Sequence, residues 1–193
     1  GENYIGGPEY DGRVIRVQLP ADQLLKNKVG TDRSGLCVFT SIDEAARWQN
    51  VTPLIGFRDF MTKYPGGGWP NKVDKFIELM ANGKPVGYIQ NTSGDEALFK
   101  LAMKTGRCVC MTYGFSPRYI DTRPGPNYNP SGEINHMVIC VYLDEKWMVI
   151  NDNNFPETYE WIPVAEGFRR WKMRDGGWLV VLLNPPPPPR PFN

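Results

Sequence analysis

The chain has 193 residues, of which 41% are hydrophobic and 22% are charged, and its formal net charge is +1. This length and composition fit one globular domain or two small lobes, and they are sufficient to bury a sizeable core. The balanced charge gives no support to binding of nucleic acid or of an anionic membrane surface, and no apolar run reaches the ~18 residues that a membrane span needs.

The first half of the chain is predicted to be mostly helical. After a short alternating run at 13–19 that favours a strand, Phe39, Ile42 and Ala46 recur at the spacing of one helical face, which predicts a helix opening near Cys37. Further elements follow in order: a helix after Pro53 that the run Pro65–Gly68 ends, a helix that begins at Asn71 and ends just before Gly83, a strand at 86–90, and a helix over about 95–106.

The second half is predicted to be mostly antiparallel sheet. Its β-rich runs are joined by loops rich in Gly, Pro and Asn, and they cover 107–114, 134–143, 146–151 and 177–183. Asp144-Glu145 predicts a tight hairpin between the second and third runs. We therefore predict an α+β fold in one domain, 1–184, with a helical lobe at about 30–106 packed on a sheet lobe at about 107–184. The basic stretch 168–174 is interpreted as a solvated helix or loop face.

The proline-rich tail, 185–193, is interpreted as a polyproline II linker or as a ligand for an aromatic-groove module. Cys108, Cys110 and Cys140 are expected to be reduced core residues, since 108 and 110 alternate along one strand in poor disulfide geometry. Reduced thiols and no visible signal peptide favour a cytoplasmic location. With one histidine and no C-x-x-C pair, neither a metal nor an organic cofactor is expected.

Cys37 is the first candidate for chemistry. It follows a Ser-Gly-Leu loop and opens a predicted helix, where unpaired N–H groups and the helix dipole stabilise a thiolate. A small buried residue is an equally good interpretation of that position alone. The sequence around the cysteine therefore leaves two alternatives open, a structural core residue and a nucleophile.

His136, the single histidine, favours the interpretation of Cys37 as a nucleophile. It leads an apolar strand, and the strand that returns from the hairpin ends in the polar cluster 151–154. In an antiparallel hairpin the start of one strand lies beside the end of the next. A carboxylate or carboxamide of the cluster is therefore expected to hold the imidazole, which completes a nucleophile, base and orienter arrangement.

The order cysteine, histidine, then Asn or Asp resembles that of the papain-like cysteine peptidases. The resemblance is sharp in two segments, "CVFTS" and "NHMVICVYLDEKWMVINDN", and the predicted order of helices and strands extends it over most of 30–183. It implies a papain-like fold, a cleft between two lobes, a peptide or protein substrate, and acyl transfer through Cys37 and His136. The chain would be a divergent and compact member, nearer to bacterial enzymes that process bacteriocin leaders.

The chain also departs from that family. The family signature around the cysteine is absent, the spacing from Cys37 to His136 is short, and Thr31 stands where papain has its oxyanion-hole glutamine, with Asp32 and Ser34 close by. One oxyanion donor is expected to be the Cys37 backbone N–H, and the second is left unassigned.

The third catalytic residue is predicted to be Asp152. A gapless overlay on papain's hairpin selects it, and strand alternation puts it on the face of Met148 and Ile150. A change of one residue in the turn would select Asn151 instead, and Asn153 is a third choice.

These observations predict a cysteine peptidase with Cys37, His136 and Asp152 as its catalytic residues. Two alternatives remain open: a papain-like module that binds peptides without cutting them, and a related transpeptidase, deamidase or cell-wall amidase.

Overall fold

The computed structural model describes residues 24–184 together with the short strands β1 (Glu2–Ile5) and β2 (Ile15–Gln18), which pair antiparallel. The proline-rich tail lies outside the described residues. Five helices follow along the chain: α1 (Cys37–Gln49), α2 (Phe57–Met61), α3 (Pro70–Ala81), α4 (Glu96–Lys104) and α5 (Val164–Lys172). Six further strands are β3 (Tyr88–Asn91), β4 (Val109–Phe115), β5 (Glu133–Leu143), β6 (Trp147–Asn151), β7 (Tyr159–Pro163) and β8 (Leu179–Leu182).

These six strands form one antiparallel sheet in the order β3-β8-β4-β5-β6-β7. The predicted α+β class is therefore confirmed. The final strand, β8, lies between β3 and β4, so it joins the strand of the helical half to the sheet of the second half. No helix among the described residues is both long and apolar enough to pass through a membrane.

The sheet is buried on both faces. Along β4, β5, β6 and β8 successive side chains point to opposite faces. One face packs against α1, α2 and α3 through residues such as Phe39, Phe57 and Phe76. The other packs against α4 and α5 through Phe99, Phe168 and Trp171. Helix α1 therefore lies directly on the sheet, which brings its first residue close to His136 and Met137 near the start of β5.

Most predicted elements are present, and the differences have local causes. The single helix predicted after Pro53 is instead a 3-10 turn (Thr52–Leu54) followed by α2, because Gly56 with φ of 97° interrupts the helical backbone. The predicted end of α3 is confirmed: Ala81 is its last residue, Asn82 caps it in the left-handed conformation, and Gly83 follows with φ of 85°.

Strand β7 and helix α5 were not recognised as packed elements. The interpretation of 168–174 as a solvated face is wrong in part, because Phe168 and Trp171 are buried against the sheet. Gly167 permits this packing: a Cβ at that position would lie 2.6 Å from the Met148 sulfur on β6. The helix thus approaches the sheet closely while Arg169 remains exposed.

The expected core cysteines are buried as free thiols. Cys110 lies on β4, Cys140 lies on β5 and Cys108 directly precedes β4, and we call the three the sheet cysteines. Four tryptophans are also less than a tenth exposed: Trp147, Trp161, Trp171 and Trp178.

Candidate active site

Cys37 is the first residue of α1 and is partly buried. Burial by itself raises the pKa of its thiol, but a hydrogen bond and charge attraction from His136, with the backbone N–H groups of Met137 and Val38, lower it further than burial raises it. The pKa of Cys37 therefore lies below that of an ordinary cysteine. The structure favours a thiolate at this position, which the helix position alone left open.

His136 lies on β5 and is only 7% exposed. Its Nε2 is 2.7 Å from Oδ1 of Asp152, which leaves the other ring nitrogen for the hydrogen bond with Cys37. Burial lowers the pKa of the imidazole, but the bonds to Asp152 and Cys37 outweigh burial and raise the pKa to about 10. His136 is thus held between a carboxylate on one side and a thiol on the other, and it is stable as an imidazolium.

Asp152 directly follows β6, and it is almost fully buried. Burial raises the pKa of its carboxyl, yet the pKa is lowered overall by His136, by the Asn154 N–H and by the Tyr119 hydroxyl. The Asn154 N–H donates to Oδ1 at 2.9 Å and the Tyr119 hydroxyl donates to Oδ2 at 2.7 Å. The carboxylate therefore stays ionised and fixed in orientation beside the imidazole.

Asn151, the alternative to Asp152, lies elsewhere. Its side-chain amide donates to the carbonyls of Pro156 and Thr158, so it closes the loop that leads to β7. A bulge in β5 between Cys140 and Tyr142 and a three-residue connection, 144–146, set the register that presents Asp152 to His136. The alternation of side chains along the strand predicts Asp152 as well, without knowledge of the bulge or of the length of the connection.

Asn153 forms a buried clamp at the base of the site. Its side-chain amide lies within hydrogen-bonding reach of the Met137 carbonyl at 3.0 Å, the Ser41 hydroxyl at 3.1 Å and the Cys37 carbonyl at 3.4 Å. Ser41 in turn donates toward the carbonyls of Cys37 and Met137. Asn153 and Ser41 thus join the first turn of α1 to the strand residue that follows His136.

The loop before Cys37 is fixed by the glycine run. Oδ1 of Asp32 accepts from the backbone N–H groups of Ser34 and Gly66, and a Cβ on Gly66 would lie 2.0 Å from the Ser34 carbonyl oxygen. Buried Lys72 holds the other side of the run by donating to the carbonyls of residues 65, 66 and 67. The glycines allow the close approach that holds Cys37 at its helix end.

The expected oxyanion donors are only partly accounted for. The Cys37 N–H belongs to the first turn of α1, whose N–H groups have no partner within the helix. Thr31 uses its backbone N–H to bond the Tyr64 carbonyl, and Asp32 holds the loop as an acceptor. Within the part of the chain that the structure describes, the hydrogen bonds of Thr31 and Asp32 do not involve Cys37.

Glu44 is a buried acid beside the site on α1. Its Oε1 accepts the Leu25 N–H at 2.9 Å, while Oε2 has no hydrogen-bond partner among residues 24–184. Burial raises the pKa of Glu44 well above its usual value, and the charges of Asp43 and Asp152 raise it further. Glu44 is therefore held as a neutral carboxylic acid.

Sequence patterns did not identify Tyr119, the clamp made by Asn153, or Glu44. Tyr119 comes from a 3-10 turn (Pro117–Tyr119) after β4, where no periodic pattern marks it. Glu44 lies at a position where helical spacing favours a core residue. The sequence does not show that its carboxyl group is buried without a cationic partner. In each case the role depends on a neighbour distant in sequence.

Comparison of this chain with models of known protein families, with characterised proteins and with solved structures finds no match. The function has to be argued from the cluster of Cys37, His136 and Asp152 itself.

Proposed function

We propose that the protein is a cysteine-dependent hydrolase of the papain-like type, and that it cuts peptide bonds with Cys37, His136 and Asp152 as its catalytic residues. The single observation that carries this proposal is the chain of contacts from Cys37 through His136 to Asp152. Opposite pKa shifts on the thiol and the imidazole favour a thiolate–imidazolium pair near neutral pH. Structural cysteines do not need such a pair.

In the first half of the reaction the Cys37 thiolate attacks the substrate carbonyl carbon and forms a C–S bond. Electrons move to the carbonyl oxygen, beside the N–H groups at the start of α1. The tetrahedral intermediate then collapses, the C–N bond breaks, and the His136 imidazolium gives its proton to the leaving amine. The product is a thioester on Cys37 with a neutral imidazole beside it.

In the second half water attacks the thioester carbonyl while His136 takes one of its protons. The C–S bond breaks, the acid product leaves, and the thiolate–imidazolium pair is restored. Asp152 stays ionised throughout: it holds the imidazole in one orientation and stabilises its charged form.

Alkylation and turnover together test this function. At pH 7 iodoacetamide should modify Cys37 in the folded protein and leave the three sheet cysteines unmodified, as read by peptide mapping. A peptide library should be cut by the native protein, and cutting should fall to background in Cys37→Ser. The matched control is Cys140→Ser, which removes a buried thiol outside the site. Resistance of Cys37 to alkylation would contradict the proposal.

A binding module remains the second candidate, because the described contacts of Thr31 and Asp32 supply no second oxyanion donor. Such a module would retain an alkylatable Cys37 and bind peptides, with no acyl-enzyme detected by mass spectrometry for any member of the library. Product masses separate hydrolysis from ligation and from deamidation, which distinguishes a peptidase from a transpeptidase or a deamidase.

A further inference from the structure

A surface cavity of about 630 Å³ opens next to the candidate active site. It is formed by the end of the 3-10 turn after β4, by the connection to β5, and by the loop after β6. The residues that line it are Arg118, Tyr119, Ile120, Asp121, Thr122, Arg123, Asn127, Asn129 and Phe155. Aromatic, amide and charged side chains therefore share one concave surface.

The cavity begins one side chain away from the imidazole. Tyr119 belongs to both places: its hydroxyl donates to Asp152, its ring centroid is 6.1 Å from that of His136, and its ring also lines the cavity. Phe155 packs edge-on against Tyr119 at 5.6 Å and continues the wall. A substrate residue that enters the cavity therefore lies on the His136 side of the site.

That side is where a leaving group is expected. In the hydrolase proposed above, the acyl part of the substrate stays bonded to Cys37, whereas the leaving amine takes its proton from His136. The cavity is thus positioned for the part of the substrate that follows the bond to be cut. The Tyr119 and His136 ring centroids are 6.1 Å apart, and an extended chain advances about 3.4 Å per residue, so the cavity wall begins about two residues from the imidazole.

The charges along the cavity separate into two groups. Arg123 is 85% exposed in its side chain and is matched by Asp121, which accepts from its Nε and Nη2 at 3.0 and 2.8 Å. That pair is neutral overall. Arg118 is different: its side chain is 23% exposed, its guanidinium lies over the Phe155 ring at 5.3 Å, and its Nη1 is buried with no hydrogen-bond partner in the described part of the chain.

Glu160 does not neutralise Arg118 fully. The Nε of Arg118 is 3.4 Å from Glu160, whose carboxylate also bonds Arg170, Tyr113 and Ser116. Arg170 also pairs with Glu166, which pairs with Arg169 as well. Within this network three arginines face two glutamates, so one positive charge is left over. Arg118 is the member of the network that lines the cavity.

We propose that this cavity binds a carboxylate on the leaving-group side of the substrate, with Arg118 as its partner and Tyr119 and Phe155 as the apolar walls. This assignment rests on the hydrolase function proposed above. An arginine that lies over an aromatic ring is suited to a carboxylate, because guanidinium and carboxylate are both planar and pair through two hydrogen bonds. Two sources have this chemistry: an acidic side chain, and the carboxylate at the end of a peptide.

Matched peptides test the assignment. The bonds cut in the peptide library fix the register, and each cut peptide is then made with Glu or Gln at the first two positions after the bond, and with a free acid or an amide at its end. We expect kcat/KM to be about tenfold higher for the carboxylate form, as for a hydrogen bond to a charged group. The effect of Glu over Gln identifies a side-chain carboxylate, and the effect of acid over amide identifies a terminal one.

Arg118→Gln should lower kcat/KM for the carboxylate peptide about tenfold and so remove this preference, while Arg118→Lys should keep part of it. Arg123→Gln is the matched control, because it makes the same change on an arginine of the same cavity that Asp121 already neutralises. Its preference should equal that of the native protein. Turnover with no preference for a carboxylate, or a preference that survives in Arg118→Gln, would overturn the assignment.

Binding to Cys37→Ala separates this assignment from the hydrolase function. Acidic and neutral versions of the same library peptides are titrated into the variant, and affinity is measured by calorimetry. Tighter binding of the acidic peptide that is lost in the double variant with Arg118→Gln supports the carboxylate site. It does so even when the native protein cuts no peptide, because missing cleavage contradicts only the hydrolase function. Equal binding of both peptides contradicts the carboxylate site whatever the turnover.

Discussion

Cys37 and the three cysteines of the sheet have the same side chain but opposite properties. Burial raises the pKa of every one of these thiols. In Cys108, Cys110 and Cys140 nothing outweighs it, and the pKa of Cys140 rises to about 12. At Cys37 the imidazole of His136 and two backbone N–H groups reverse the direction. The comparison shows that a partner, and not exposure alone, determines which cysteine can react.

Removing His136 should abolish the difference between the two kinds of cysteine. In His136→Gln, Cys37 retains the burial that raises its pKa but loses the group that lowers it most, so the pKa should rise above 9. Alkylation at pH 7 should slow at least tenfold, and turnover should fall about 10²–10⁴-fold, the usual contribution of a general acid–base group. Rates of alkylation and turnover from pH 5 to 11 are the measurement.

In the native protein the alkylation rate should increase as Cys37 loses its proton below pH 9, and the ion pair should persist until His136 deprotonates near pH 10. His136→Gln should have a single transition at higher pH. An unchanged profile in this variant would show that the helix end alone activates Cys37.

Replacing Asp152 by Asn should destabilise the charged form of the His136 imidazole without moving the ring. The amide keeps an oxygen opposite Nε2 at the present 2.7 Å but loses the negative charge. The pKa of His136 should fall from about 10, so the upper limit of the pH profile should move to lower pH. A lost charge-assisted bond of about 1.5–3 kcal/mol corresponds to about 10–150-fold in turnover.

Tyr119→Phe is the companion variant for Asp152, since it removes only one donor to the carboxylate. Its effect on turnover should be smaller and in the same direction. A larger effect than that of Asp152→Asn would show that Tyr119 acts on the substrate directly and not through the carboxylate.

Changing Asn153 to Asp tests whether the clamp positions Cys37. The shape is retained, but an amide donor that lies near the carbonyls of Cys37 and Met137 becomes an acceptor. Stability should fall by about 1–3 kcal/mol, measured by urea unfolding. The pKa of Cys37 from alkylation should also rise, because a negative charge next to its carbonyl disfavours the thiolate.

Ser41→Ala is the control for the clamp, because it removes a hydroxyl from the same cluster and adds no charge. It should cost about 1 kcal/mol of stability and leave the alkylation profile unchanged. If the pH profile of Cys37 alkylation is unchanged in Asn153→Asp too, the role of Asn153 is structural only.

Glu44→Gln should have the smallest effect, and only on stability. Because the pKa of Glu44 is raised in the folded state, the folded protein holds a proton that the unfolded chain releases above about pH 4.5. Stability from this group is therefore complete below pH 4.5 and declines as pH rises through the folded pKa. The Gln variant keeps an acceptor for the Leu25 N–H without this loss.

The free energy of unfolding of Glu44→Gln should therefore equal that of the native protein near pH 4.5 and exceed it increasingly toward pH 9, as measured by urea unfolding at each pH. Glu78→Gln, the same change at an exposed carboxylate on α3, is the control for the general effect of removing a negative charge. Equal pH dependence in the native and Gln proteins would show that Glu44 is ionised in the folded state.

The sequence predicted the elements that follow a regular period. The 3.6-residue spacing of Phe39, Ile42 and Ala46 marked α1, and alternation along 134–143 and 146–151 marked β5 and β6, because each element is apolar on the positions that it buries. Helix α5 was not recognised, since Gly167 and three basic residues obscure its buried face. Its packing depends on the close approach to Met148, which no local pattern contains.

The candidate residues could be predicted from the sequence because each lies at or near the boundary of a helix or strand. Cys37 opens a helix, His136 lies near the start of a strand, and Asp152 follows the end of the paired strand, and antiparallel pairing brings the last two together. By itself the sequence thus determined which residues are candidates and their order along the chain.

Only the tertiary structure decided which of these groups carry charge. The direction of each pKa shift depends on burial and on partners distant in the chain. His136 is the main group that lowers the pKa of both Cys37 and Asp152, whereas Glu44 has no cation within hydrogen-bonding reach among the described residues. Electrostatic energies vary with distance and local dielectric, not with sequence separation. The packing of α1 on the sheet is therefore what distinguishes Cys37 from three other cysteines of the same chain.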